Sequence, residues 1–257
     1  MPGTFRLKKK RLDHLLTERG LAESGAQAQR LVMAGLVYVN GQKCDKPGTS
    51  VHSDAEIEVR EKLRYVSRGG LKLEGALAHF PFDAQGAVCL DVGASTGGFT
   101  DCLLQQGAVK VYAVDVGRRQ LHYRLRQDGR VVNLERIHIR DLSRLQVPND
   151  VDALTIDVSF ISLTKVLPMA WKFLRSGGWC VALIKPQFEA ERKQVGKGGV
   201  IRDEHVRRAC VDKVTALAGT LEGAEVLGVI ESPIHGPKGN VEFLLALRKA
   251  GSGYPPA

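Results

Sequence analysis

The chain has 257 residues, 44% of them hydrophobic, with a formal net charge of +9 and a sequence pI near 9.4. This length suits one large domain plus a small one, and the basic charge favours an anionic partner such as nucleic acid. The five cysteines are scattered without a C-x-x-C pair, so we expect neither a disulfide framework nor a bound metal. Without a secretory signal or an apolar run of ~18 residues, the chain is expected to be cytoplasmic and not to enter membranes.

The first ten residues are interpreted as a basic N-terminal arm. Residues 6–11 hold five basic side chains and no acid, among them Lys8, Lys9, Lys10 and Arg11. A flexible arm of this kind can bind phosphates, and a solvated tail is an equally good interpretation of the charge run.

Two short helices and a β-hairpin are predicted within residues 11–59. Apolar residues recur at helical spacing in Leu12-Leu15-Leu16 and again in Ala28-Leu31-Val32, which follows Ser24, a favoured N-cap residue. The alternating stretch Leu36–Val39 is closed by Asn40-Gly41, which is a strong hairpin signal. The sequence therefore predicts a small α+β unit.

This unit resembles the S4 RNA-binding domain. The resemblance is carried by Arg-Leu-Asp-x-Leu-Leu, Gly-Leu-Ala-x-Ser and Gly-x-Val-x-Val-Asn-Gly, and it departs from the usual pattern at Gly25, where such domains often carry arginine. It implies binding of structured RNA through the two helices and the hairpin. A two-helix dimerisation module is the alternative interpretation.

A second domain is predicted over residues 69–249, after a charged linker at 60–68 and before a disordered tail at 250–257. Its first helix faces the core with Leu73, Ala76 and Leu77, and Lys72 lies about 100° from that face and need not be buried. The predicted strands are 88–92, 110–114, 131–134, 154–157, 179–184, 226–230 and 241–247, and helices fill most gaps, including 163–174 and 204–217. This alternation predicts an α/β fold with a doubly wound, mostly parallel sheet, whose ligands bind at the carboxyl edge.

The stretch from Val88 to Thr100 is the most informative part of this domain. An apolar strand ends in Asp91-Val92, a turn with Gly93 and Gly97 follows, and a helix begins, so backbone N–H groups at the new helix point outward as donors. Asp115 ends the next strand, and an acid about 20 residues after the glycines holds ribose hydroxyls in dinucleotide-binding folds. A glycine-rich turn without a ligand is the alternative interpretation.

Two further charged residues follow predicted strands. Asp157 comes after Leu154-Thr155-Ile156, and Lys185 comes after Val181-Ala182-Leu183-Ile184, which places both at the edge that carries Asp91 and Asp115. A charge at a strand end is often only a solvated boundary, but opposite charges beside a cofactor turn favour a functional site.

The turn, the acids and the lysine resemble a Rossmann-like S-adenosylmethionine-dependent methyltransferase. More narrowly, Asp-Val-Gly-Ala-Ser-Thr-Gly-Gly-Phe-Thr, Asp-Val-Ser-Phe-Ile-Ser-Leu and Ile-Lys-Pro-Gln-Phe-Glu behind an S4 unit look like the TlyA family. That family consists of ribosomal RNA ribose 2′-O-methyltransferases, often labelled hemolysins, with an FtsJ-like catalytic domain. The resemblance covers nearly the whole chain and implies a mostly parallel sheet whose last strand is antiparallel.

The resemblance also implies roles for individual residues. The catalytic tetrad of the family falls on Lys72, Asp157, Lys185 and Glu242. The S-adenosylmethionine pattern falls on Gly93, Ser95 and Gly97 at the methionine moiety, on Asp115 at the ribose and on Asp141 at the adenine amino group, with Asp91 ending the strand before them.

Methyl transfer to a ribose 2′-hydroxyl requires alignment of the hydroxyl and removal of its proton. Lys185 is the candidate base, with Asp157 orienting it and Lys72 with Glu242 holding the ribose. Burial and Lys72 favour the neutral amine that a base needs, whereas the two acids favour the charged form. A charged Lys185 would instead orient and polarise the hydroxyl.

RNA contacts are expected around the same edge. Residues 117–144 contain eight arginines and three acids, and Arg118 and Arg119 follow Asp115 closely. With Arg68 in the linker, they are candidate RNA-binding residues, although solvated helix faces explain some of these charges equally well. The glycine-rich loop at 187–202 suits a mobile lid, and an idle insertion is the alternative.

Three other functions remain open at this stage. A membrane-lytic protein is suggested by the family label, but lysis needs no polar catalytic edge. An S4-type RNA-binding protein without catalysis is disfavoured by the intact tetrad. A base-modifying methyltransferase commonly carries Asn/Asp-Pro-Pro-Tyr/Phe after its fourth strand, where this chain has Asp157-Val158-Ser159-Phe160.

Overall fold

The computed structural model describes residues 8–59 and 64–251. The chain divides into two compact units between Leu63 and Arg64, called here the N-terminal and the C-terminal unit. None of the helices in the described ranges is both long enough and apolar enough to span a membrane.

The N-terminal unit is a small α+β fold. Its hairpin turn is formed by Asn40 and Gly41 with φ of 49° and 78°, as a type I′ turn requires, and the Ser24 hydroxyl caps the second helix by accepting from Gln27 N at 3.2 Å. The described elements are β1 (Lys9–Arg11), α1 (Leu12–Glu18), α2 (Gly25–Met33), β2 (Val37–Val39), β3 (Gln42–Cys44), β4 (Ser50–His52) and β5 (Ile57–Val59). Strands β3-β2-β5 form one antiparallel sheet over the helices' apolar side chains, and β1 pairs with β4.

The predicted basic arm is only partly within the described residues, and there it differs from the prediction. Lys9, Lys10 and Arg11 form strand β1 instead of a flexible arm, because their backbone pairs with Ser50–His52. Positions 1–7 of the predicted arm, 60–63 of the linker and 252–257 of the tail fall outside the described residues.

The C-terminal unit is built around one large sheet. Its elements are α3 (Gly69–His79), β6 (Val88–Val92), α4 (Gly98–Gln105), β7 (Lys110–Asp115), α5 (Tyr123–Arg126), β8 (Val131–Glu135), β9 (Val151–Ile156), α6 (Leu163–Trp171), β10 (Leu174–Ile184), α7 (Pro186–Glu189), α8 (Glu204–Gly219), β11 (Ala224–Glu231) and β12 (Phe243–Lys249). Alternate residues of the central strands pack into two separate apolar clusters, one on each face of the sheet.

The strand order is β11-β12-β10-β9-β6-β7-β8, and β12 pairs antiparallel with both of its neighbours while β6 to β10 pair in parallel. The predicted doubly wound, mostly parallel sheet with an antiparallel last strand is therefore confirmed. The chain leaves β6 toward β7 and later returns to its other side as β9, so the carboxyl ends of β6 and β9 form the switch point where such sheets bind ligands.

Several predicted boundaries were wrong. The strand predicted from Trp179 begins at Leu174, with a register irregularity between these residues, and the helix predicted to reach Leu174 ends at Trp171. The last strand begins at Phe243, so Glu242 stands just before it.

Candidate active site

The turn after β6 depends on two glycines in left-handed backbone conformations. Gly93 has φ of 83°, and a Cβ at this position would lie 2.4 Å from the backbone oxygen of Asp157. Gly97 has φ of 96° and caps the N-terminus of α4, where a Cβ would collide with Leu125. A larger residue at either position would strain the backbone, and at Gly93 it would also push the turn away from the end of β9.

Asp91, which was predicted to belong to the cofactor site, is buried behind the turn. Its carboxylate is fully buried and accepts hydrogen bonds from Thr100 Oγ1 at 2.6 Å and Thr155 Oγ1 at 2.9 Å. Asp91 therefore ties α4 and β9 to β6 behind the glycine turn. Burial raises the pKa of this carboxyl group to about 6. The hydrogen bonds from Thr100 and Thr155 lower the pKa, but their effect is smaller than that of burial.

This raised pKa predicts a pH-dependent contribution to stability. The folded protein binds more protons at Asp91 than the unfolded chain between the unfolded pKa of 3.8 and the folded value of about 6. The contribution of Asp91 to the free energy of unfolding therefore falls as pH rises through this window, by about 3 kcal/mol in total. An Asp91→Asn variant lacks this dependence, so its stability relative to the parent is expected to be higher at about pH 7 than at about pH 4.5 in urea titrations. An equal difference at both pH values would contradict this account.

Asp115 and Asp141 lie in different environments. The Asp115 carboxylate accepts from Ser95 N at 2.8 Å and from Gly117 N at 2.6 Å, and it lies on the wall of a cavity of about 550 Å³. This apolar cavity is also lined by Ile137, Ile139, Val158 and Ile161.

Asp141, the predicted partner of an adenine amino group, is not part of the wall of this cavity. Its side chain is 62% exposed and pairs with Arg140 at 3.4 Å. The short 3-10 helix Ile139–Asp141 directs Ile139 inward and Asp141 to the surface, so His138 and Ile139 line the cavity instead.

The predicted tetrad converges on a second, polar cavity of about 290 Å³. Arg68, Lys72, Asp157 and Lys185 are part of its lining, and it shares Gly93, Ser95 and Asp157 with the apolar cavity. The two cavities therefore adjoin at the carboxyl ends of β6 and β9.

Lys72 and Glu242 form one ion pair of the tetrad. Their Nζ and Oε2 atoms are 2.5 Å apart, and the other oxygen of Glu242 accepts from Gln187 Nε2 at 3.1 Å. Glu242 is fully buried and Lys72 is 7% exposed, although the helical pattern did not require Lys72 to be buried. The partner just before β12 explains its burial, because a buried lysine needs an opposite charge.

Lys185 and Asp157 form the other ion pair. Lys185 Nζ lies 2.6 Å from Asp157 Oδ1 without the alignment of a hydrogen bond, and it donates to Ser159 Oγ at 3.0 Å. Each lysine of the tetrad thus has its own carboxylate, and the Lys185 amine lies at the wall of the polar cavity.

The predicted RNA-binding residues are dispersed. Arg68 lines the polar cavity, whereas Arg118 and Arg119 are exposed and line neither cavity. In the N-terminal unit Lys8 and Lys9 are exposed, Lys10 pairs with Glu18 at 2.6 Å, and Arg11 donates two hydrogen bonds to Asp13. Arg11 thereby lowers the pKa of Asp13 to about 2, which gives this arginine a structural role in its own unit.

The loop at 187–202 is anchored at its far end. Buried Asn240 donates to Gly199 O at 2.9 Å and accepts from Ile201 N at 3.1 Å. The predicted mobile lid is therefore tied to the segment that precedes Glu242.

Three residues near the tetrad were not predicted from the sequence. Ser159 and Gln187 hydrogen-bond to tetrad members, and Phe160 is 90% exposed with φ of 64° beside them. All three belong to the stretches Asp157–Leu163 and Ile184–Glu189, whose strand-end position was the available signal.

The two cavities together fit an elongated ligand with a flat apolar base, a ribose and a charged amino-acid end. The apolar cavity suits the base, Asp115 stands where ribose hydroxyls need an acceptor, and the polar cavity suits the charged end. With a switch-point site on a mostly parallel sheet, the C-terminal unit has the architecture of a Rossmann-like methyltransferase.

Comparison with known proteins gives the family. The sequence profile of the FtsJ-like methyltransferases matches residues 65–249, and that of the S4 domain matches residues 10–57. The chain belongs to the TlyA (hemolysin A) family of FtsJ-like methyltransferases, and its cofactor is S-adenosylmethionine.

Three similar proteins illustrate the match. A Mycobacterium tuberculosis protein named 16S/23S rRNA (cytidine-2′-O)-methyltransferase TlyA is 44% identical over 94% of this chain and 90% of its own length. Hemolysin A of Brachyspira hyodysenteriae is 45% identical over 91% of this chain and 98% of its own. The solved structure of a Streptococcus thermophilus protein named as a hemolysin has a TM-score of 0.72 and 47% identity, covering 96% of this chain and 90% of its own.

Proposed function

We propose that this enzyme methylates the 2′-hydroxyl of a cytidine ribose in ribosomal RNA, with Lys185 as the base. The name of the M. tuberculosis relative supports this substrate, and the S4 domain supports RNA as the partner. Ribosomal subunits as substrate imply a cytoplasmic enzyme.

The arrangement of two lysine–carboxylate pairs at one polar cavity carries this proposal. Lys185, Asp157 and Lys72 line the cavity that adjoins the cofactor turn, and Glu242 pairs with Lys72 from behind the cavity wall. A hydroxyl placed there can meet a proton acceptor and fixed charges that hold the neighbouring hydroxyl of the ribose.

Each residue of the tetrad has its own role in the proposed reaction. The Lys185 amine accepts the proton of the 2′-hydroxyl, while Asp157 and Ser159 fix the position of Nζ and stabilise the charge that the amine gains. Lys72, held by Glu242, donates to ribose oxygens. S-adenosylmethionine supplies an activated methyl group, so the protein needs only to align the hydroxyl and remove its proton.

The cofactor is assigned to the two adjoining cavities. We assign its methionine end to the turn at Gly93 and Ser95, its ribose to Asp115 and its adenine to the apolar cavity, where Ile139 and His138 take the place predicted for Asp141. Gly97 shapes the turn without being part of either cavity wall.

RNA is assigned to basic side chains of both units. Arg68 lies at the polar cavity, Arg118 and Arg119 are exposed near Asp115, and Lys8 and Lys9 are exposed on the N-terminal unit. Exposed ion pairs such as Lys10–Glu18 contribute at most about 1 kcal/mol to the free energy of unfolding, so Lys10 can exchange Glu18 for an RNA phosphate.

The decisive experiment incubates purified ribosomal subunits with the protein and tritiated S-adenosylmethionine, and then maps 2′-O-methyl groups on the RNA. We expect label in ribosomal RNA and new 2′-O-methyl groups on cytidine. Label on a base, or no transfer to either subunit by protein that binds the cofactor, would refute the proposal.

A further inference from the structure

Glu189 is a buried acid that lines neither cavity. It ends the short helix α7, which follows Lys185 directly, and its side chain is only 2% exposed. Its carboxylate faces the loop between β9 and α6: Oε2 accepts from Ser162 Oγ and Oε1 accepts from Leu163 N, both at 2.6 Å. A buried carboxylate is costly unless such bonds satisfy it.

Both hydrogen bonds join the segment that follows Asp157 to the segment that follows Lys185, and these two residues form one ion pair of the tetrad. Glu189 is four residues after Lys185, and Ser162 is five residues after Asp157. Glu189 adds to the capping of α6, because Ser162 accepts from Thr164 N while Glu189 accepts from Leu163 N, and the bond from Ser162 Oγ links it to the same loop.

Two further contacts reinforce the same connection. The rings of Phe160 and Phe188, one from each segment, have centroids 5.1 Å apart. Lys213 of α8 donates to the Glu189 backbone oxygen at 2.9 Å and lies 3.9 Å from its carboxylate, which holds α7 from the other side.

We propose that Glu189 is a positioning residue for methyl transfer, whose carboxylate fixes the Asp157 segment against the Lys185 segment. The inference rests on the proposed function. Lys185 and Asp157 directly follow the neighbouring strands β10 and β9, with Nζ and Oδ1 2.6 Å apart, and Glu189 joins the two segments that continue from them. A displacement of about 1 Å in a catalytic group can reduce a rate by about 10²-fold, so this connection has a direct consequence for turnover.

The test uses Glu189→Ala and Glu189→Gln in the full chain. The matched control is Glu222→Ala, since Glu222 is exposed and lies between α8 and β11, outside the loop at 187–202. Three quantities are measured: kcat and KM for methyl transfer to ribosomal subunits, the Kd of S-adenosylmethionine by calorimetry, and amide hydrogen exchange of the protein alone. Exchange reports on the two segments whether or not the protein is active.

For Glu189→Ala we expect kcat to fall about 10- to 100-fold with KM and Kd near those of the parent, and faster exchange within residues 157–163. Glu189→Gln should retain much of kcat, because its amide can accept from Leu163 N and donate to Ser162 Oγ. The control should match the parent.

Parent-like kcat in folded Glu189→Ala would overturn the inference. The inference would also be overturned if kcat fell together with cofactor affinity and with exchange protection throughout the C-terminal unit. That pattern would show that Glu189 has a general structural role. If the parent itself transfers no methyl group to ribosomal RNA, the proposed function fails, and unchanged exchange within 157–163 would then separately reject the connection made by Glu189.

Discussion

Replacing Lys185 by methionine is expected to lower the rate of methyl transfer about 10²- to 10⁴-fold, which is the usual contribution of a positioned general base. Methionine keeps most of the length of the side chain but removes the amine that lies 2.6 Å from Asp157. Cofactor affinity should stay near that of the parent, because the assigned cofactor contacts lie on the turn after β6 and around Asp115. Single-turnover rates with ribosomal subunits and calorimetry with S-adenosylmethionine measure the two effects separately.

A Lys185→Arg variant separates a base from a fixed positive charge. Arginine keeps the charge beside Asp157 but does not deprotonate in proteins, so it cannot act as the base. We therefore expect Lys185→Arg to be nearly as slow as Lys185→Met. Substantial activity in the arginine variant would show that the residue orients and polarises the hydroxyl. The control is Lys165→Met, at an exposed position on α6.

The fold of the C-terminal unit was predictable because each central strand is a short apolar run followed by a turn signal. The prediction failed where the local pattern is ambiguous. Leu174 pairs with Val151 before a glycine-containing irregularity, and Arg175 to Gly177 are exposed, so the first part of β10 has the composition of a loop. Pairing with a neighbouring strand, which a single stretch of sequence does not reveal, decided its conformation.

The site was predictable to the level of strand ends but not of side-chain direction. Lys72, Asp157, Lys185 and Glu242 do converge, but Asp91 is turned inward because threonines on α4 and β9 supply donors to it. Neither threonine is close to Asp91 in sequence. These inward contacts depend on packing between elements, and so does the role that we infer for Glu189.

The Lys72–Glu242 pair is expected to govern stability as well as catalysis. Glu242 is fully buried, and a Cβ on Gly236 would collide with its carboxylate, so the backbone closes over it. Among the described residues, Lys72→Met would leave this charge with Gln187 as its one side-chain donor, and removing one partner of a buried pair costs about 3–5 kcal/mol. Glu242→Gln should cost less, because Lys72 lines the polar cavity and can extend toward solvent.

The double variant Lys72→Met/Glu242→Gln tests whether the buried charge causes this loss. The uncharged amide of the glutamine introduced at position 242 can still accept from Gln187, so most of the stability lost in Lys72→Met should return in the double variant. Neither the single nor the double variant should methylate RNA at the parent rate. Both tryptophans, Trp171 and Trp179, lie in the C-terminal unit, so their fluorescence during urea titration reports the unfolding of this unit. A Lys72→Met protein that unfolds at the same urea concentration as the parent would contradict the argument. Equal destabilisation of the single and double variants would mean that lost packing, and not the unpaired carboxylate, is the cause.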